Sequence, residues 1–259
     1  MNRTKPILAA AIFIAMALTL SCSDDNGDSP GSSSSSGTGG SFELPDISSQ
    51  LCIRVRGDSP GECIEYKGSG EIKFFYGYET YDVEKDKYTA QFDSIPAGKI
   101  QNGQIVFDET FDFPQNVDSK YLRDITDSFF VSCDGFNDCE SNVSYTQNIS
   151  MAWGFFVAVI PGREQCMLTM GVRGREGVGA WHLYASASGQ VMGTTLESNN
   201  YSDAEYQIYD MNFSKGWNMF YLTSVYTHEN GEGFYETSTS TDPKLIEGTL
   251  EWITGCGDN

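Results

Sequence analysis

Few residues in this chain are of the types that carry out catalysis through an imidazole group. The chain has two histidines, so a histidine triad, zinc cluster or proton shuttle would have to use His182 or His228. The signatures G-x-S-x-G, H-E-x-x-H and S-x-x-K occur in no suitable structural context. The 36 acidic residues leave a hydrolase with a carboxylate pair as an alternative, because the sequence gives no distances between them. We therefore predict a non-catalytic protein with a binding or structural role.

The tryptophans are the first candidates for ligand binding. Trp153, Trp181 and Trp217 lie in or beside strand-like runs, as does Trp252. Many sugar-binding modules stack an exposed aromatic ring on a pyranose, whereas most tryptophans of β-rich proteins fill the core. A carbohydrate-binding module that uses exposed Trp or Tyr is therefore one alternative function.

An acidic loop is the candidate metal site. It contains the oxygen-bearing residues Asp134, Asn137, Asp138 and Glu140. Such oxygens could hold Ca²⁺, although the D-x-D-x-D-G order of a calcium loop is missing. A solvated acidic loop is the alternative, and we predict no other cofactor.

The run Arg56-Gly57-Asp58-Ser59-Pro60 connects two strand-like segments. It resembles the integrin-recognition loop of extracellular-matrix adhesion proteins, and the resemblance implies that Arg56 supplies a charge and Asp58 coordinates the receptor's metal. The same composition also favours an ordinary turn, because Gly adopts positive φ, Asp bonds to its own backbone and Pro fixes φ. An adhesin is therefore a further alternative function.

The chain is strongly acidic. Its 16 Lys and Arg against 36 Asp and Glu give a net charge of -20 and a pI near 4.2. Binding to nucleic acid or to anionic lipid headgroups depends on a basic surface that neutralises phosphates. We therefore exclude nucleic acid as a partner.

Residues 1–21 are predicted to be an export signal peptide. Arg3 and Lys5 precede an apolar run that ends at Leu20 and is shorter than the about 20 residues that a spanning helix needs. Cys22 follows, and this ending resembles the lipobox of bacterial lipoproteins, although Thr19 stands where that family usually has Leu. The resemblance implies that Cys22 is lipidated, with palmitate among its chains, and that these chains hold the protein on the membrane.

Residues 22–41 are predicted to be a flexible tether. The acidic stretch 23–28 looks like the patch that directs some bacterial lipoproteins to the cell surface. The Ser/Gly-rich stretch 29–41 could fill no core, and the tether reaches about 25 Å. The predicted location is the bacterial cell envelope, at the outer membrane and exposed on the surface. The predicted partner is a polysaccharide or an envelope protein.

Residues 42–259 are predicted to fold as an all-β body. Runs with period-2 alternation recur at short intervals, and they do not alternate with helices as a parallel βαβ sheet requires. The predicted fold is an antiparallel β-sandwich, one large or two small with sub-domains 42–140 and 146–259. At most one short helix is predicted, over Ser119–Phe130, where apolar residues recur at spacings of three and four.

Turn signals and alternation place the predicted strands. Asn102-Gly103 and Asn230-Gly231 lie between strand-like runs and suit type I′ hairpin turns. The predicted strands are 51–56, 62–68, 71–76, 88–92, 99–101, 104–107, 149–160, 165–172, 178–185, 190–195, 205–213, 218–227, 233–239 and 248–254.

Two stretches, 94–107 and 214–222, resemble patterns in small surface lipoproteins of unassigned function from Gram-negative-type bacteria. The resemblance implies a β-rich exported body and supplies no activity.

Six cysteines besides Cys22 are predicted to form disulfides, because thiols are not kept reduced outside the cytoplasm. The most economical pairing joins Cys52 with Cys63, Cys133 with Cys139, and Cys166 with Cys256. A metal cluster is the alternative, but the chain contains no C-x-x-C. Taken together, these features predict a membrane-anchored, exported bacterial lipoprotein whose β-sandwich body has a binding or structural role.

Overall fold

The computed structural model describes residues 47–54, 63–82, 87–126, 139–162, 166–172, 175, 177–198, 203–229 and 232–254. Within these ranges the chain forms sixteen β-strands and two single 3₁₀ turns. The strands are β1 (Ser48–Arg54), β2 (Cys63–Glu65), β3 (Gly70–Asp82), β4 (Lys87–Gln101), β5 (Gln104–Phe107), β6 (Arg123–Asp124), β7 (Cys139–Ser141), β8 (Ser144–Tyr145), β9 (Ser150–Val159), β10 (Cys166–Val172), β11 (Val178–Ala185), β12 (Gly189–Ser198), β13 (Asp203–Phe213), β14 (Gly216–Glu229), β15 (Glu232–Ser240) and β16 (Leu250–Thr254). The 3₁₀ turns are Ser119–Tyr121 and Pro243–Leu245.

All sixteen strands belong to one sheet, part of which closes into an eight-stranded barrel. Hydrogen bonding leads from β9 through β3, β4, β5, β1, β16, β10 and β11 and returns from β11 to β9. The ring closes because β9 pairs with two strands along one edge, residues 151–154 with β11 and residues 156–158 with β10. On the far side of the ring, β1 and β16 are neighbours and run parallel.

The predicted antiparallel β-sandwich is wrong. A sandwich consists of two sheets packed face to face, whereas here one continuous sheet closes on itself, and every strand of the ring is bonded on both sides. Two strand pairs are parallel, β1 with β16 and β13 with β15. The all-β class is confirmed.

The strand positions follow the sequence prediction closely. β5 and β11 have the predicted bounds, and the two predicted segments 88–92 and 99–101 are parts of the single strand β4. The hairpin between β4 and β5 is confirmed, because Asn102 and Gly103 have φ of 51° and 80°, as a type I′ turn requires. The second predicted hairpin turn, Asn230-Gly231, lies outside the described residues.

The predicted helix over Ser119–Phe130 is wrong in the part of that range that the structure describes, which ends at residue 126. Asp118 caps a single 3₁₀ turn, and the chain is extended again at Leu122 before it pairs with β9 as β6. The helix-like spacing has another cause. Leu122 packs against the core inside the barrel, whereas Ile125 belongs to a second core.

Side chains fill the barrel. Even-numbered residues of β9 and β11 point inward, and the largest interior groups are aromatic. Phe74 and Phe156, with ring centroids 4.9 Å apart, lie at the centre of this barrel core. The other buried members are Leu51, Ile72, Tyr76, Ala97, Ile100, Ile105, Phe113, Val117, Ala152, Ala158, Ile160, Cys166, Leu168, Met170, Ala180, Tyr184, Trp217 and Trp252.

An irregular segment, residues 108–118, inserts into this core. Phe113 is 3% exposed, and its ring centroid lies 5.0 Å from that of Phe74 and 5.8 Å from that of Trp217. The indole N–H of Trp217 donates a hydrogen bond of 2.9 Å to the carbonyl oxygen of Pro114. The segment is therefore both packed and hydrogen-bonded to the barrel.

The remaining strands form a flanking sheet. It continues from β11 through β14, β15, β13 and β12, and β12 also pairs with β7 and β8. Met151, Leu183 and Met211 belong to a flanking core on the outer face of the barrel wall. β9 and β11 thus serve both cores through their opposite faces. The division into sub-domains 42–140 and 146–259 stays a prediction.

In the part of the chain that the structure describes, we find no helix with the length and apolar character needed to cross a membrane.

Candidate functional site

The barrel interior contains a buried histidine. His182 is 1% exposed, and its ring lies 5.3 Å from that of Phe113, 5.4 Å from that of Phe156 and 5.9 Å from that of Phe74. Burial lowers the pKa of His182 to about 3, because these apolar surroundings disfavour the charged imidazolium. At neutral pH the ring is therefore a neutral part of the core.

A cavity of about 10 Å³ lies beside His182, between Leu168, Met170 and Trp252. This volume is about that of one water probe, whereas binding pockets for small molecules measure hundreds of Å³. This cavity beside His182 is therefore too small to hold such a ligand.

The outer face of the barrel wall contains a row of aromatic side chains. Phe75 is paired with Phe155 across β3 and β9, and Trp181 is paired with Phe220 across β11 and β14. Gly154 of β9 pairs with His182 of β11, which brings the next residues of those strands, Phe155 and Trp181, to the same level. The row crosses four neighbouring strands. We call Phe75, Phe92, Trp153, Phe155, Trp181 and Phe220 the aromatic surface.

Several rings of the aromatic surface lie nearly parallel to their neighbours. The planes of Phe75 and Phe155 differ by 11° at a centroid distance of 5.7 Å, and those of Trp181 and Phe220 by 20° at 5.7 Å. Phe220 is buried in the flanking core, and the half-buried Trp153 and Trp181 pack against that core. Phe75, Phe92 and Phe155 are half-buried as well. The aromatic surface is therefore partly exposed and continues into the flanking core.

The indole of Trp181 comes close to the backbone of its own strand because residue 179 is glycine. A Cβ at Gly179 would stand 2.8 Å from Cη2 and 3.1 Å from Cζ3 of Trp181, closer than real Cβ contacts allow. The missing side chain therefore lets the ring lie over the backbone of its own strand.

The structure places the four tryptophans in two different environments. Trp153 and Trp181 are half-buried members of the aromatic surface. Trp217 is 8% exposed and bonded to the inserted segment, and Trp252 is 2% exposed inside the barrel. Trp217 is therefore a core residue.

The sequence analysis missed the phenylalanines of the aromatic surface. Phe74-Phe75 and Phe155-Phe156 are adjacent pairs within strands, and successive side chains of a strand point to opposite faces. One member of each pair must therefore face away from the barrel core. These two doublets were the feature of the sequence from which outward-facing phenylalanines could have been predicted.

A second group of polar residues lies on the flanking sheet around Glu205. Gln207 Nε2 donates a hydrogen bond of 3.1 Å to Glu205 Oε1. Burial raises the pKa of the Glu205 carboxyl above its usual value. Gln207 and Glu205 were not among the residues singled out by the sequence, because isolated polar residues at alternate strand positions usually face solvent.

A third group stands on the barrel near the first 3₁₀ turn. Tyr76 Oη donates to Asp93 Oδ2 at 3.2 Å, and the ring of Tyr121 lies 5.7 Å from that of Tyr76. Burial and the nearby Asp93 carboxylate raise the pKa of Tyr76 to about 12, while a hydrogen bond from the Ser94 N–H lowers the pKa of Asp93. These contacts attach the turn to β3 and β4, and we assign them a structural role.

Several predicted site residues lie outside the described residues. They are the lipidation site Cys22, the turn residues Arg56, Gly57 and Asp58, and the loop residues Asp134, Asn137 and Asp138. Glu140 is described, and it is exposed on β7 opposite Leu196. Among the described residues, no three His, Cys, Asp or Glu side chains are grouped as metal ligands would be. A calcium site in the acidic loop stays a prediction.

Two of the predicted disulfide cysteines, Cys52 and Cys166, are disulfide-bonded. The side chains of Cys63 and Cys139, and all of Cys133 and Cys256, lie outside what the structure describes. The predicted pairing therefore stays a prediction.

Comparison with known proteins yields no relative. No protein-family model, no curated protein and no solved structure matches this chain.

Proposed function

We propose that this chain is a lipid-anchored bacterial envelope protein that binds a neutral polysaccharide without cleaving it. The half-buried indole of Trp181 within the aromatic surface is the observation that carries the binding part of this proposal. The signal-like residues 1–21, Cys22 and the Ser/Gly tether support the anchoring part. The folded body is a barrel with a flanking sheet in place of the predicted sandwich.

The shape of the aromatic surface favours an extended ligand with flat apolar faces. The C–H face of a pyranose ring packs on an aromatic face, and neighbouring rings on adjacent strands repeat that contact along a polymer. An acyl chain would instead require a deep apolar pocket, and the cavity beside His182, of about 10 Å³, is too small for one.

The charge of the chain favours a neutral ligand. At a net charge of -20, an anionic polymer would be repelled at long range. A neutral polysaccharide experiences no such repulsion.

Retention on insoluble polysaccharides tests the binding proposal. The full chain and its Trp181→Ala variant are incubated with cellulose, starch, xylan and mannan, and the bound fraction is measured at increasing protein concentration. We expect the wild type to bind at least one of these polymers and the variant to bind about tenfold more weakly, because the loss of one stacking ring costs about 1.4 kcal/mol.

Tyr206→Ala is the matched control. Tyr206 is a half-buried aromatic residue on β13, and it points to the opposite face from Gln207 and Tyr209. This variant should bind as the wild type does. The proposal is wrong if the wild type binds none of the polymers, or if Trp181→Ala binds with unchanged affinity. Capture of an envelope protein in place of a polysaccharide would also contradict it.

A further inference from the structure

The flanking sheet has a second face, which points away from the flanking core and is open to solvent. Five residues on this face are successive register partners on β14, β15, β13, β12 and β7, namely Val225, Glu236, Tyr206, Leu196 and Glu140. We call these five residues the transverse row. Val225 is 53% exposed and Leu196 is 37% exposed. The two glutamates are exposed as well, and Tyr206 is half-buried.

Exposed apolar side chains are concentrated in the transverse row. Of the four large hydrophobic side chains that are exposed in the described part of the chain, Leu196 and Val225 both lie in it. The ring of Tyr206 stacks on that of Phe234, with centroids 6.3 Å apart and planes that differ by 24°. Apolar groups that are gathered on an exposed surface and bordered by charged residues are typical of a contact site for a partner.

The charge of the flanking strands indicates the sign of that partner. None of the 16 Lys and Arg residues of the chain lies in β7, β12, β13, β14 or β15. These strands contain only acidic charges, at Glu140, Glu197, Asp203, Glu205, Asp210, Glu229, Glu232 and Glu236. A basic partner is attracted to such a surface, whereas a second copy of this chain would bring the same acidic strands and be repelled.

Each glutamate of the transverse row has an apolar neighbour on the adjacent strand. Glu236 is the register partner of Tyr206, and Glu140 is the register partner of Leu196. A guanidinium group can bond to a carboxylate while its plane lies on an aromatic ring, and the methylene stem of a basic side chain can pack on Leu. Each pair therefore suits one Arg or Lys side chain of a partner.

The spacing of the two glutamates restricts the shape of the partner. Glu236 and Glu140 are three strands apart, which is about 14 Å. In an extended polypeptide, side chains four residues apart point to the same face and are separated by about 13 Å. The residue halfway between them also points to that face and would lie over Tyr206 and Leu196. A divalent cation would instead need oxygen ligands that converge on one point.

We propose that the transverse row binds an extended, basic segment of another polypeptide, with two Arg or Lys residues four positions apart and an apolar residue between them. Glu236 and Glu140 bond to the two basic groups, and Tyr206 and Leu196 contact the apolar side chain. Val225 and Phe220 alternate on β14, so the row lies on the opposite face of the sheet from the aromatic surface. This interaction is a second binding function, separate from the proposed binding of polysaccharide.

Binding of two synthetic peptides to the full chain tests this surface. One peptide is Ser-Arg-Ser-Leu-Ser-Arg-Ser, which has the proposed spacing, and the other is Ser-Ser-Arg-Arg-Leu-Ser-Ser, which has the same composition and charge with adjacent arginines. Each peptide is attached to a sensor surface, and bound protein is measured at increasing protein concentration. We expect the first peptide to bind about tenfold more tightly, because only its arginines reach both glutamates at once.

Charge reversal in the transverse row should remove this preference. The double variant Glu140→Lys, Glu236→Lys should bind the first peptide about tenfold more weakly than the wild type, because two attractive contacts become repulsive. The double variant Glu65→Lys, Glu71→Lys is the matched control, since it changes the net charge equally at exposed positions on β2 and the barrel strand β3. It should keep most of the affinity and the preference between the two peptides.

Leu196→Ser tests the apolar part of the row without any change of charge. It should weaken binding of the first peptide about threefold, because apolar contact area is lost. Val106→Ser is its control, since Val106 is similarly exposed, at 39%, on β5, and it should bind normally. Denaturation curves of all variants show whether each is folded.

Three results would overturn the proposal. Equal binding of the two peptides by the wild type, or an equal loss of binding in the two charge variants, would show only the general attraction of an acidic protein for basic peptides. Normal binding by Leu196→Ser would show that the apolar contact does not exist. None of these results depends on polysaccharide, so the proposed function can stand or fall separately.

Discussion

His182 illustrates how a single buried residue sets a pH dependence of folding stability. Its folded pKa is about 3, against 6.5 for an exposed histidine. Between these values the unfolded chain binds a proton at residue 182 and the folded chain does not. The neutral ring therefore makes its full contribution to the free energy of unfolding above pH 6.5, and this contribution decreases as the pH drops towards 3.

We expect His182→Leu to reduce the acid sensitivity of folding. Around pH 5, the slope of unfolding free energy against pH should be smaller in the variant by about 1.4 kcal/mol per pH unit, because one proton of differential binding is removed. Urea denaturation of both proteins at several pH values measures this difference, and the contributions of the acidic residues cancel in the comparison. Equal slopes would mean that folded His182 titrates near its ordinary pKa.

For single residues, the sequence could identify candidates but not the face of the strand on which each side chain lies. Trp181 and Trp217 both lie in strands with similar surroundings in the sequence. Trp217 is buried because it faces the inserted segment, where it contacts Phe113 and bonds to Pro114, whereas Trp181 faces away from the barrel core. Phe113 and Pro114 lie more than 60 residues before Trp181 in the sequence. Glu205 gave no signal, because nothing in the local sequence indicates that its carboxyl is buried.

Among the elements, the inserted segment 108–118 has no regular secondary structure, yet it supplies part of the barrel core. Phe113 contacts rings from β3, β9, β11 and β14. Without this segment, that space would be empty or filled with solvent, and the buried His182 would lose part of its apolar surroundings.

We expect Phe113→Ala to destabilise the fold by about 3–5 kcal/mol, because truncating a buried phenylalanine leaves a cavity that the surrounding strands fill only partly. Glu109→Ala, at an exposed position within the same segment, is the control and should change the stability by less than about 0.5 kcal/mol. Chemical denaturation measures both. A small effect of Phe113→Ala would show that the segment leaves the barrel core at little cost.

Elements with a strong period-2 pattern were predictable, and those stabilised by distant contacts were not. β5 and β11 match their predicted bounds because alternation and a turn signal fix both ends. β6, β7 and β8 are two or three residues long, too short for a pattern, and they exist because β9 or β12 offers an edge. The helix prediction failed for a related reason, since residues 122 and 125 pack into different cores.

For the molecule as a whole, the closure of the sheet into a barrel could not be predicted from the sequence. The ring depends on β1 pairing with β16, which come from opposite ends of the folded body, and on β9 sharing one edge between β10 and β11. Neither pairing leaves a local pattern. A closed sheet and a sandwich have the same alternation along each strand, so the all-β class could be predicted whereas the architecture could not.

Anchoring is also a property of the whole molecule. We expect Cys22→Ala to move the protein from the membrane fraction to the soluble fraction, because the proposed acyl chains are its attachment and each buried methylene contributes about 0.8 kcal/mol. Fractionation of expressing cells with and without detergent measures this, and Ser35→Ala in the Ser/Gly tether serves as a control that should leave the distribution unchanged. Unchanged membrane association of Cys22→Ala would remove the basis for the proposed location.

The parallel pairing of β1 with β16 has a consequence for biogenesis. β16 is synthesised after every other strand of the ring, so a chain that emerges gradually through a secretion channel exposes an incomplete, open-edged sheet until residues 250–254 have crossed. Contacts between residues so distant in the chain also form slowly. For the export proposed above, chaperones on the far side of the membrane would therefore meet a nearly full-length chain whose sheet is still open, and the yield of folded protein would depend on how long they protect that edge.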